Sequence, residues 1–196
     1  VALAALSQLS GKVVSVSNKG GWCIAVLEWM ANVSAGQVAY LDETVRIKPL
    51  AKHQIKNIAE RIEILAAGHP GIPSDQLPIM AAWSAGFARK VAIKDARFSS
   101  RYGYIREFNN LGWTCSGPNE NGFHEVSSMA GGLSLAGSAP VLNATDLRAC
   151  MAMIIAGGLS GKPFHIRHFE QVKRGYPEIL SYLRLLGWKI LETEIQ

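Results

Sequence analysis

Apolar and polar residues follow helical spacing in four segments of this chain, but in two different ways. Residues 77–83, LPIMAAW, and residues 150–155, CMAMII, are apolar at nearly every position, which is typical of helices buried on all sides. Residues 104–111 and 178–186 mix polar with apolar positions, which predicts helices with one face toward solvent. The polar face of the first of these consists of Arg106, Glu107, Asn109 and Asn110.

Short runs rich in β-branched or aromatic residues predict strands between these helices, so the pattern indicates an α/β fold with apolar helices inside and strands outside. The order helix, turn, strand, amphipathic helix, strand recurs about every 75 residues, which indicates three copies of one unit. We place the copies at residues 1–66, 67–140 and 141–196 of a single domain. SGK at 10–12 and 160–162 and LGW at 111–113 and 186–188 support the repeat.

Each copy predicts particular elements. In the first, these are a helix at 1–9, a strand at 13–17, a helix at 24–35 and two short strands within 37–47. In the second, they are a helix at 77–85, a strand at 91–93, a helix at 104–111 and a strand after Trp113. In the third, they are helices at 147–156 and 178–186 and strands at 164–166 and 189–191. Both SGK segments follow a helix, so we interpret them as turns and not as phosphate-binding loops.

Residues 66–75, AAGHPGIPSD, join the first copy to the second. Two prolines and two glycines predict an extended turn. Ser74 or Asp75 would cap the helix that starts near Leu77. On structure alone, Asp75 is therefore predicted to be a helix cap.

Composition restricts the possible classes of protein. With 196 residues and 48% hydrophobic content, the chain can bury a sizeable core. The formal charge of +5 comes without a run of Lys or Arg, which argues against nucleic acid as a partner. Cys23, Cys115 and Cys150 are widely spaced, which argues against a disulfide framework and a metal site and fits a reducing cytoplasm. We expect no membrane segment, because no apolar run approaches about 20 residues.

The first residues carry a separate hint. The chain begins at Val1 without a methionine, inside a helix-like segment that has no cap residue before it. We expect this sequence to continue something longer.

Arginines mark both ends of the stretch from Ala144 to Tyr176. Arg148 lies near its start and Arg174 near its end. A guanidinium stays charged and holds planar or tetrahedral oxyanions through paired N–H donors. Two of them on one βα-type unit predict a shared anion site, although a single arginine is more often a member of a surface ion pair.

Four motifs together resemble a known family. They are HPGIPSDQ at 69–76, SRY at 100–102, ATDLRA at 144–149 and RGY at 174–176. In this order they resemble the UDP-N-acetylglucosamine enolpyruvyl transferases, and the resemblance covers nearly the whole chain. The shikimate-pathway enolpyruvyl transferases are similar in fold but match these motifs less well.

The resemblance implies a fold and a reaction. Family members have two domains, each an inside-out α/β barrel of three βαβαββ units, with the active site between them, and this chain corresponds to the C-terminal domain. The enolpyruvyl group of phosphoenolpyruvate moves to the 3-hydroxyl of UDP-N-acetylglucosamine and phosphate is released, without a cofactor. This is a cytoplasmic step toward peptidoglycan of the cell wall.

The resemblance also implies roles for individual residues. Asp75 matches the carboxylate that contacts the sugar 3-hydroxyl and takes its proton. Three arginines match those that surround phosphoenolpyruvate or act as the cleft closes: Arg101, Arg148 and Arg174. Arg97 lies where the family contacts the nucleotide sugar through its backbone. Asp146 either orients Arg148 or caps the helix that begins at Leu147.

Half of the family's site has no counterpart in this chain. The N-terminal domain of the family supplies a lysine–asparagine pair, further arginines and a loop cysteine. Cys115 is not that cysteine, because it lies at a strand-like position without basic neighbours. We therefore expect an enzyme half that is inactive unless an N-terminal domain completes it. The alternative is a non-catalytic module that binds a sugar nucleotide, a phosphate or a protein partner, and self-association through the cleft face is a further outcome.

Overall fold

The computed structural model describes residues 13–17, 26, 38–41, 44–47, 59–68, 71–128 and 138–192. The strands are β1 Val14–Ser17, β2 Val38–Leu41, β3 Thr44–Ile47, β4 Ala59–Ala66, β5 Ala88–Asp95, β6 Thr114–Ser116, β7 His124–Ser127, β8 Val141–Asn143 and β9 His165–Arg167. The helices are α1 Leu77–Ser84, α2 Gly103–Asn110, α3 Leu147–Ser160, α4 Glu170–Lys173 and α5 Ile179–Leu185. A 3₁₀ turn, Ser74–Gln76, leads into α1. Within these ranges, no helix is long and apolar enough to cross a membrane.

The strands form three sheets whose pairings recur along the chain. The first has the order β1-β3-β2, with both pairs antiparallel. The second has the order β4-β5-β7-β6, in which β4 and β5 are parallel and the other pairs are antiparallel. The third is the parallel pair β8-β9. The arrangement β5-β7-β6 thus repeats β1-β3-β2, and the pair β8-β9, joined through α3, repeats β4-β5, joined through α1.

Helices α1 and α3 pack against each other in the centre of the core. Every residue of α1 is buried, and α3 is buried from Ala149 to Gly157. Burying one large apolar side chain stabilises the fold by about 2 kcal/mol. Helices α1 and α3 are surrounded by other parts of the core, so apolar residues around the whole circumference of each helix stabilise the fold. The prediction of internal apolar helices is confirmed, and Met80, Met151 and Met153 are core residues at 0% exposure.

Glycine matters at two places near the end of α3. A Cβ at Gly157 would lie 2.3 Å from the ring of Phe164, so a glycine lets the chain returning toward β9 pack closely on the helix. Gly161 has φ 66° and ends α3 in the left-handed conformation. The prediction that SGK at 160–162 is a turn is confirmed, whereas the turn at 10–12 lies outside the described residues, as does the helix at 1–9.

Most of the other predicted elements are present. The strands at 13–17, 37–47, 91–93 and 164–166 and the helices at 104–111 and 178–186 are confirmed, with shifts of a few residues at their ends. Of the helix at 24–35 the structure describes Val26 alone, which is helical and buried.

One predicted strand does not form, one observed strand was not predicted, and one residue was assigned to the wrong face of its helix. The strand at 189–191 does not form: residues 188–192 are irregular, and Glu192 pairs with Arg184 of α5 at 2.6 Å. Strand β4 was not predicted, although it is eight residues long. Glu107 does not lie on the solvent face of α2. It is 8% exposed and accepts hydrogen bonds from Asn110 and from the backbone of Asn143, so a buried carboxylate ties α2 to β8.

Candidate functional site

The predicted site residues lie where two pairs of parallel strands end. Ala66 of β4 is in register with Asp95 of β5, and Asn143 of β8 is in register with Arg167 of β9. The segments that follow β4, β5 and β8 carry most of the predicted polar side chains: 67–76, 96–102 and 144–148. Carboxyl ends of parallel strands are a common position for ligand sites, because the loops there converge.

Asp75 lies in the 3₁₀ turn before α1 and does not cap that helix. The first N–H groups of the helix bond to backbone carbonyls instead: Gln76 N–H donates to the oxygen of Pro73 at 2.9 Å, and Leu77 N–H donates to that of Ser74. No side chain caps α1, so the prediction that Asp75 or Ser74 does so is wrong. The Asp75 side chain is instead 66% exposed and points to two arginines.

Arg148 joins two carboxylates. Its Nη1 donates to Oδ1 of Asp75, and its Nε lies 3.1 Å from Oδ1 of Asp146. Arg101 also approaches Asp75, with its Nη1 3.4 Å from the same oxygen. Asp75 is 26 residues from Arg101 and 73 residues from Arg148 in sequence, yet the fold collects these three residues and Asp146 in one cluster, which we call the Asp75 cluster.

Asp146 performs both of the roles that the sequence left open. It caps α3, because its carboxylate accepts the backbone N–H groups of Arg148 at 2.8 Å and Ala149 at 3.1 Å. It also orients the Arg148 side chain through Nε. Partial burial alone would raise the pKa of Asp146, but the hydrogen bonds from Ala149 and Arg148 outweigh it and hold the pKa below its ordinary 3.8.

The cluster contains two guanidinium groups and two carboxylates. Partial burial opposes the charge of Arg148, but the hydrogen bonds that it donates to Asp75 and Asp146 outweigh this effect and raise the arginine's pKa. Arg148 therefore stays charged and is already paired before any ligand arrives. An incoming oxyanion would compete with Asp75 for this guanidinium and leave the aspartate available as a hydrogen-bond acceptor.

Arg101 rests on an aromatic ring. Its guanidinium carbon lies 3.7 Å from the ring centroid of Phe98, close enough for a cation–π contact. Arg97 belongs to the same loop and approaches Gly68, with Nη1 3.8 Å from the position that a Cβ there would take. The backbone N–H of Arg97 is donated to Asp95, so only its carbonyl is left for the predicted backbone contact with a ligand.

Arg174 lies directly after α4 and is exposed. Its Nη1 is 3.5 Å from Oε1 of Gln171, and within the described residues it forms no ion pair with Asp75 or Asp146. The next residue, Gly175, packs closely on Leu147, because an added Cβ would lie 3.2 Å from Leu147 Cδ1. Arg174 is therefore on the segment that packs beside the start of α3, but its side chain is not part of the Asp75 cluster.

Asp95 contacts two segments of the candidate site but was not predicted from the sequence. It is 7% exposed, and its Oδ1 accepts hydrogen bonds from Ser74 Oγ and from the backbone N–H groups of Arg97 and Phe98. Its own N–H donates to the hydroxyl oxygen of Tyr102 at 2.6 Å. An Asp at the end of a strand, followed by a loop, is a usual signal for such a turn and could have identified it.

Cys115 and Cys150 do not belong to the Asp75 cluster. Burial, only partly offset by a backbone hydrogen bond, raises the pKa of the Cys115 thiol to about 12, so the thiolate is scarce at neutral pH. Burial likewise raises the pKa of Cys150 to about 12. Among the residues with described positions, no group of three or more His, Cys, Asp or Glu is arranged to hold a metal ion.

Comparison with known proteins identifies the family of this chain. The family model for EPSP synthase (3-phosphoshikimate 1-carboxyvinyltransferase) matches residues 12–183. A UDP-N-acetylglucosamine 1-carboxyvinyltransferase from Thermotoga petrophila is 27% identical over 161 residues, covering 79% of this chain and 36% of that protein. One from Nostoc sp. is 33% identical over 137 residues, covering 69% of this chain and 29% of that protein. The chain thus spans about a third of the length of the curated relatives it matches.

A solved structure shows the same fold. The enolpyruvyl transferase NikO from Streptomyces tendae superposes with a TM-score of 0.70 and 21% identity, covering 95% of this chain and 42% of that one. The fold is therefore that of a mixed α/β enolpyruvyl transferase domain. Because the family model spans most of the chain, this protein belongs to the EPSP synthase family of enolpyruvyl transferases.

Proposed function

We propose that this chain is the C-terminal half of a cytoplasmic UDP-N-acetylglucosamine 1-carboxyvinyltransferase, acting in peptidoglycan precursor synthesis. The observation that carries the proposal is the Asp75 cluster, in which Arg148 pairs with Asp75 at the ends of two parallel strand pairs. The names of the relatives support the acceptor sugar.

The domain is proposed to be an inside-out α/β barrel of three units within residues 1–196. The recurrence of β5-β7-β6 as β1-β3-β2 supports this, as does that of the β4-β5 pair as β8-β9. The order β4, α1, β5, α2, β6, β7 is one complete βαβαββ unit. Central placement of α1 and α3 agrees with helices inside the barrel.

The proposed reaction requires one bond to form and one to break. The 3-hydroxyl oxygen of the sugar bonds to C2 of phosphoenolpyruvate, the bond from C2 to the phosphate oxygen breaks, and the hydroxyl proton must leave. Asp75 is proposed to accept that proton, since a 66% exposed carboxylate on a short rigid turn is well placed to meet a ligand hydroxyl. Phosphate departs as the second product, and the proton that Asp75 accepted passes to this phosphate or to solvent, which restores the carboxylate.

The arginines are proposed to hold phosphoenolpyruvate, which carries a carboxylate and a phosphate. Arg148 and Arg101 already face one oxygen atom, Asp75 Oδ1, so their N–H donors converge on one point. A bound oxyanion there would be held by two guanidinium groups. Arg174, on the neighbouring segment, is proposed to reach the same ligand when the cleft closes, and Arg97 is proposed to contact the sugar nucleotide.

A further part of the site is proposed to come from an N-terminal enolpyruvyl transferase domain. The described cluster offers two carboxylates, Asp75 and Asp146, and two arginines that converge on Asp75, so other contacts to the substrates would have to come from elsewhere. The relatives are about three times as long as the matched segment, which leaves length for such a domain.

The proposal is tested by phosphate release from phosphoenolpyruvate with UDP-N-acetylglucosamine. This chain would be assayed alone and together with a separately produced N-terminal domain of a family member. We expect release in the mixture and its loss with Asp75→Asn, while binding of the sugar nucleotide is mostly retained. Glu63→Gln is the matched control, because Glu63 is also an exposed acid paired with an arginine, but on β4 away from the cluster.

Two outcomes would contradict the proposal. Unchanged turnover in Asp75→Asn would remove Asp75 from the reaction. No release from two halves that are shown to associate, together with binding of UDP-N-acetylglucosamine to this chain, would favour the non-catalytic binding module instead.

A further inference from the structure

We propose that Asp95 is a positioning residue that sets the geometry between Asp75 and Arg101. This inference rests on the proposed function, in which those two side chains meet the substrates. Asp95 itself is only 7% exposed, so we infer that it acts through the residues that donate hydrogen bonds to it and not by touching a substrate.

One carboxylate oxygen of Asp95 holds two separate turns. Ser74 Oγ donates to Oδ1 from the turn before α1, at 3.0 Å. The backbone N–H groups of Arg97 and Phe98 donate to the same oxygen from the loop after β5, at 2.9 and 3.0 Å. A buried polar group needs hydrogen-bond partners, and here all three donors to this oxygen belong to segments of the candidate site.

The two segments that Asp95 holds are each next to a residue of the Asp75 cluster. Ser74 precedes Asp75 in the same turn, so fixing Ser74 fixes the start of the segment that aims the Asp75 carboxylate. On the other side, the Phe98 ring lies 3.7 Å from the Arg101 guanidinium, so fixing the Phe98 backbone fixes the surface on which Arg101 rests. The distance of 3.4 Å between Arg101 Nη1 and Asp75 Oδ1 therefore depends on Asp95.

Tyr102 strengthens the same link from behind. Its hydroxyl oxygen accepts the backbone N–H of Asp95 at 2.6 Å, and its ring stacks on His124 of β7 with centroids 3.8 Å apart. The end of β5 is thereby held against the next strand of its sheet. Asp95 thus connects a rigid sheet to two loops that carry charged side chains.

The test uses the full chain with Asp95→Ala, Asp95→Asn and Ser74→Ala. Asn119→Ala is the matched control, because the Asn119 side chain also accepts two backbone N–H groups in a turn, but in the loop between β6 and β7. Two quantities are measured: the dissociation constant for phosphoenolpyruvate by calorimetry, and the proton chemical shifts of the Arg101 side chain, which the ring current of Phe98 displaces.

In Asp95→Ala we expect the Arg101 ring-current shift to disappear and phosphoenolpyruvate to bind roughly tenfold more weakly, because small displacements of binding groups are costly. Asp95→Asn should restore both, since the amide oxygen accepts the same hydrogen bonds. Ser74→Ala, which keeps the loop turn, should weaken binding but keep the ring-current shift. Asn119→Ala should change neither, even if it lowers the melting temperature.

An unchanged Arg101 shift and unchanged affinity in Asp95→Ala would overturn the inference. So would a loss of affinity in Asn119→Ala as large as that in Asp95→Ala, because that would mark a general effect of stability. If the unmodified chain and its assembled enzyme do not bind phosphoenolpyruvate, the proposed function fails, whereas the Arg101 shifts still decide the role of Asp95. Should Asp95→Ala not fold, the comparison of Ser74→Ala with Asp95→Asn decides it.

Discussion

The guanidinium of Arg148 is shared between two acids that have different neighbours. Asp146 lies at the start of the same helix and is 41% exposed, whereas Asp75 comes from a distant turn and is 66% exposed. Solvent screens the more exposed pair more strongly, so the pair with Asp75 is the easier one to break. An arriving oxyanion would therefore displace Asp75 and leave Asp146 to hold the arginine.

This sharing predicts that lysine cannot replace Arg148. Arg148→Lys keeps the charge, but one ammonium group cannot donate from two separated nitrogens in the way that Nε and Nη1 do. We expect phosphoenolpyruvate to bind at least about tenfold more weakly, which is about 1.4 kcal/mol, with a small change in melting temperature. Calorimetric titration of the assembled enzyme measures the affinity.

Arg106→Lys provides the control for Arg148→Lys, because Arg106 is exposed on α2. It should bind phosphoenolpyruvate as the unmodified protein does. Equal affinity in Arg148→Lys and Arg106→Lys would show that charge alone is sufficient and that the paired geometry of Arg148 does not matter.

For individual residues, the prediction from sequence differs most from the structure where a side chain could bond to either a local or a distant partner. The motifs predicted Asp75, Arg101, Arg148 and Asp146 as site residues, and the fold does bring these four side chains together. Asp75 was nevertheless also expected to cap a helix, because a cap needs only local residues. The arginines that it contacts are 26 and 73 residues away, and local spacing carries no information about them.

Asp146 both caps helix α3 and pairs with Arg148, and substitutions can separate these two functions. Asp146→Ala removes both the cap and the ion pair with Arg148, and loss of a cap costs about 1 kcal/mol of unfolding free energy. Asp146→Asn keeps a good cap residue and removes only the charge. We therefore expect a clear fall in melting temperature for Asp146→Ala and a smaller one for Asp146→Asn, measured by circular dichroism.

The pH dependence gives a second measurement of the same pair. Because the pKa of Asp146 is lower in the folded state than its ordinary 3.8, ionised Asp146 stabilises the fold above that pH. This contribution is lost as the pH falls through the folded pKa. The difference in melting temperature between the unmodified chain and Asp146→Asn should therefore shrink below about pH 3.8. A difference that stays constant with pH would contradict the assigned pKa direction.

The sequence predicted helices that are buried on all sides more reliably than strands whose burial depends on contacts with distant parts of the chain. The two apolar helices, α1 and α3, were identified because a helix buried all round needs no partner-specific pattern. Strand β4 was missed although its polar and apolar residues alternate from Arg61 to Ile64, the pattern of a strand with one exposed face. Its exposed Arg61 pairs with Glu125 of β7, 64 residues away, a contact that local spacing does not indicate. Residues 189–191 have a strand-like composition, yet the chain follows α5 there and forms no ladder.

In the molecule as a whole, the predicted site residues lie in sequence directly beside the most buried helices but are much more exposed than those helices. Helix α1 is fully buried, and the exposed Asp75 precedes it by two residues. Helix α3 is buried from its third residue, and Arg148 is its second. The predicted site residues Asp75 and Arg148 thus lie next to the buried helices, which keeps them in place without burying their charges.

This arrangement predicts a specific pattern of amide hydrogen exchange. In the free chain, amides of α1 and α3 should exchange most slowly among the described elements, and those of α5 faster, because only Ile179 and Leu183 of α5 are buried. Phosphoenolpyruvate should add protection at 74–76, 96–102 and 144–148, since those segments carry the arginines and Asp75. The helices should change little, because they are already protected. Mass spectrometry of exchanged peptides, with and without phosphoenolpyruvate, measures both. New protection confined to α5 or to the β6–β7 loop would place the anion elsewhere and would contradict a site built on the ends of the parallel strands.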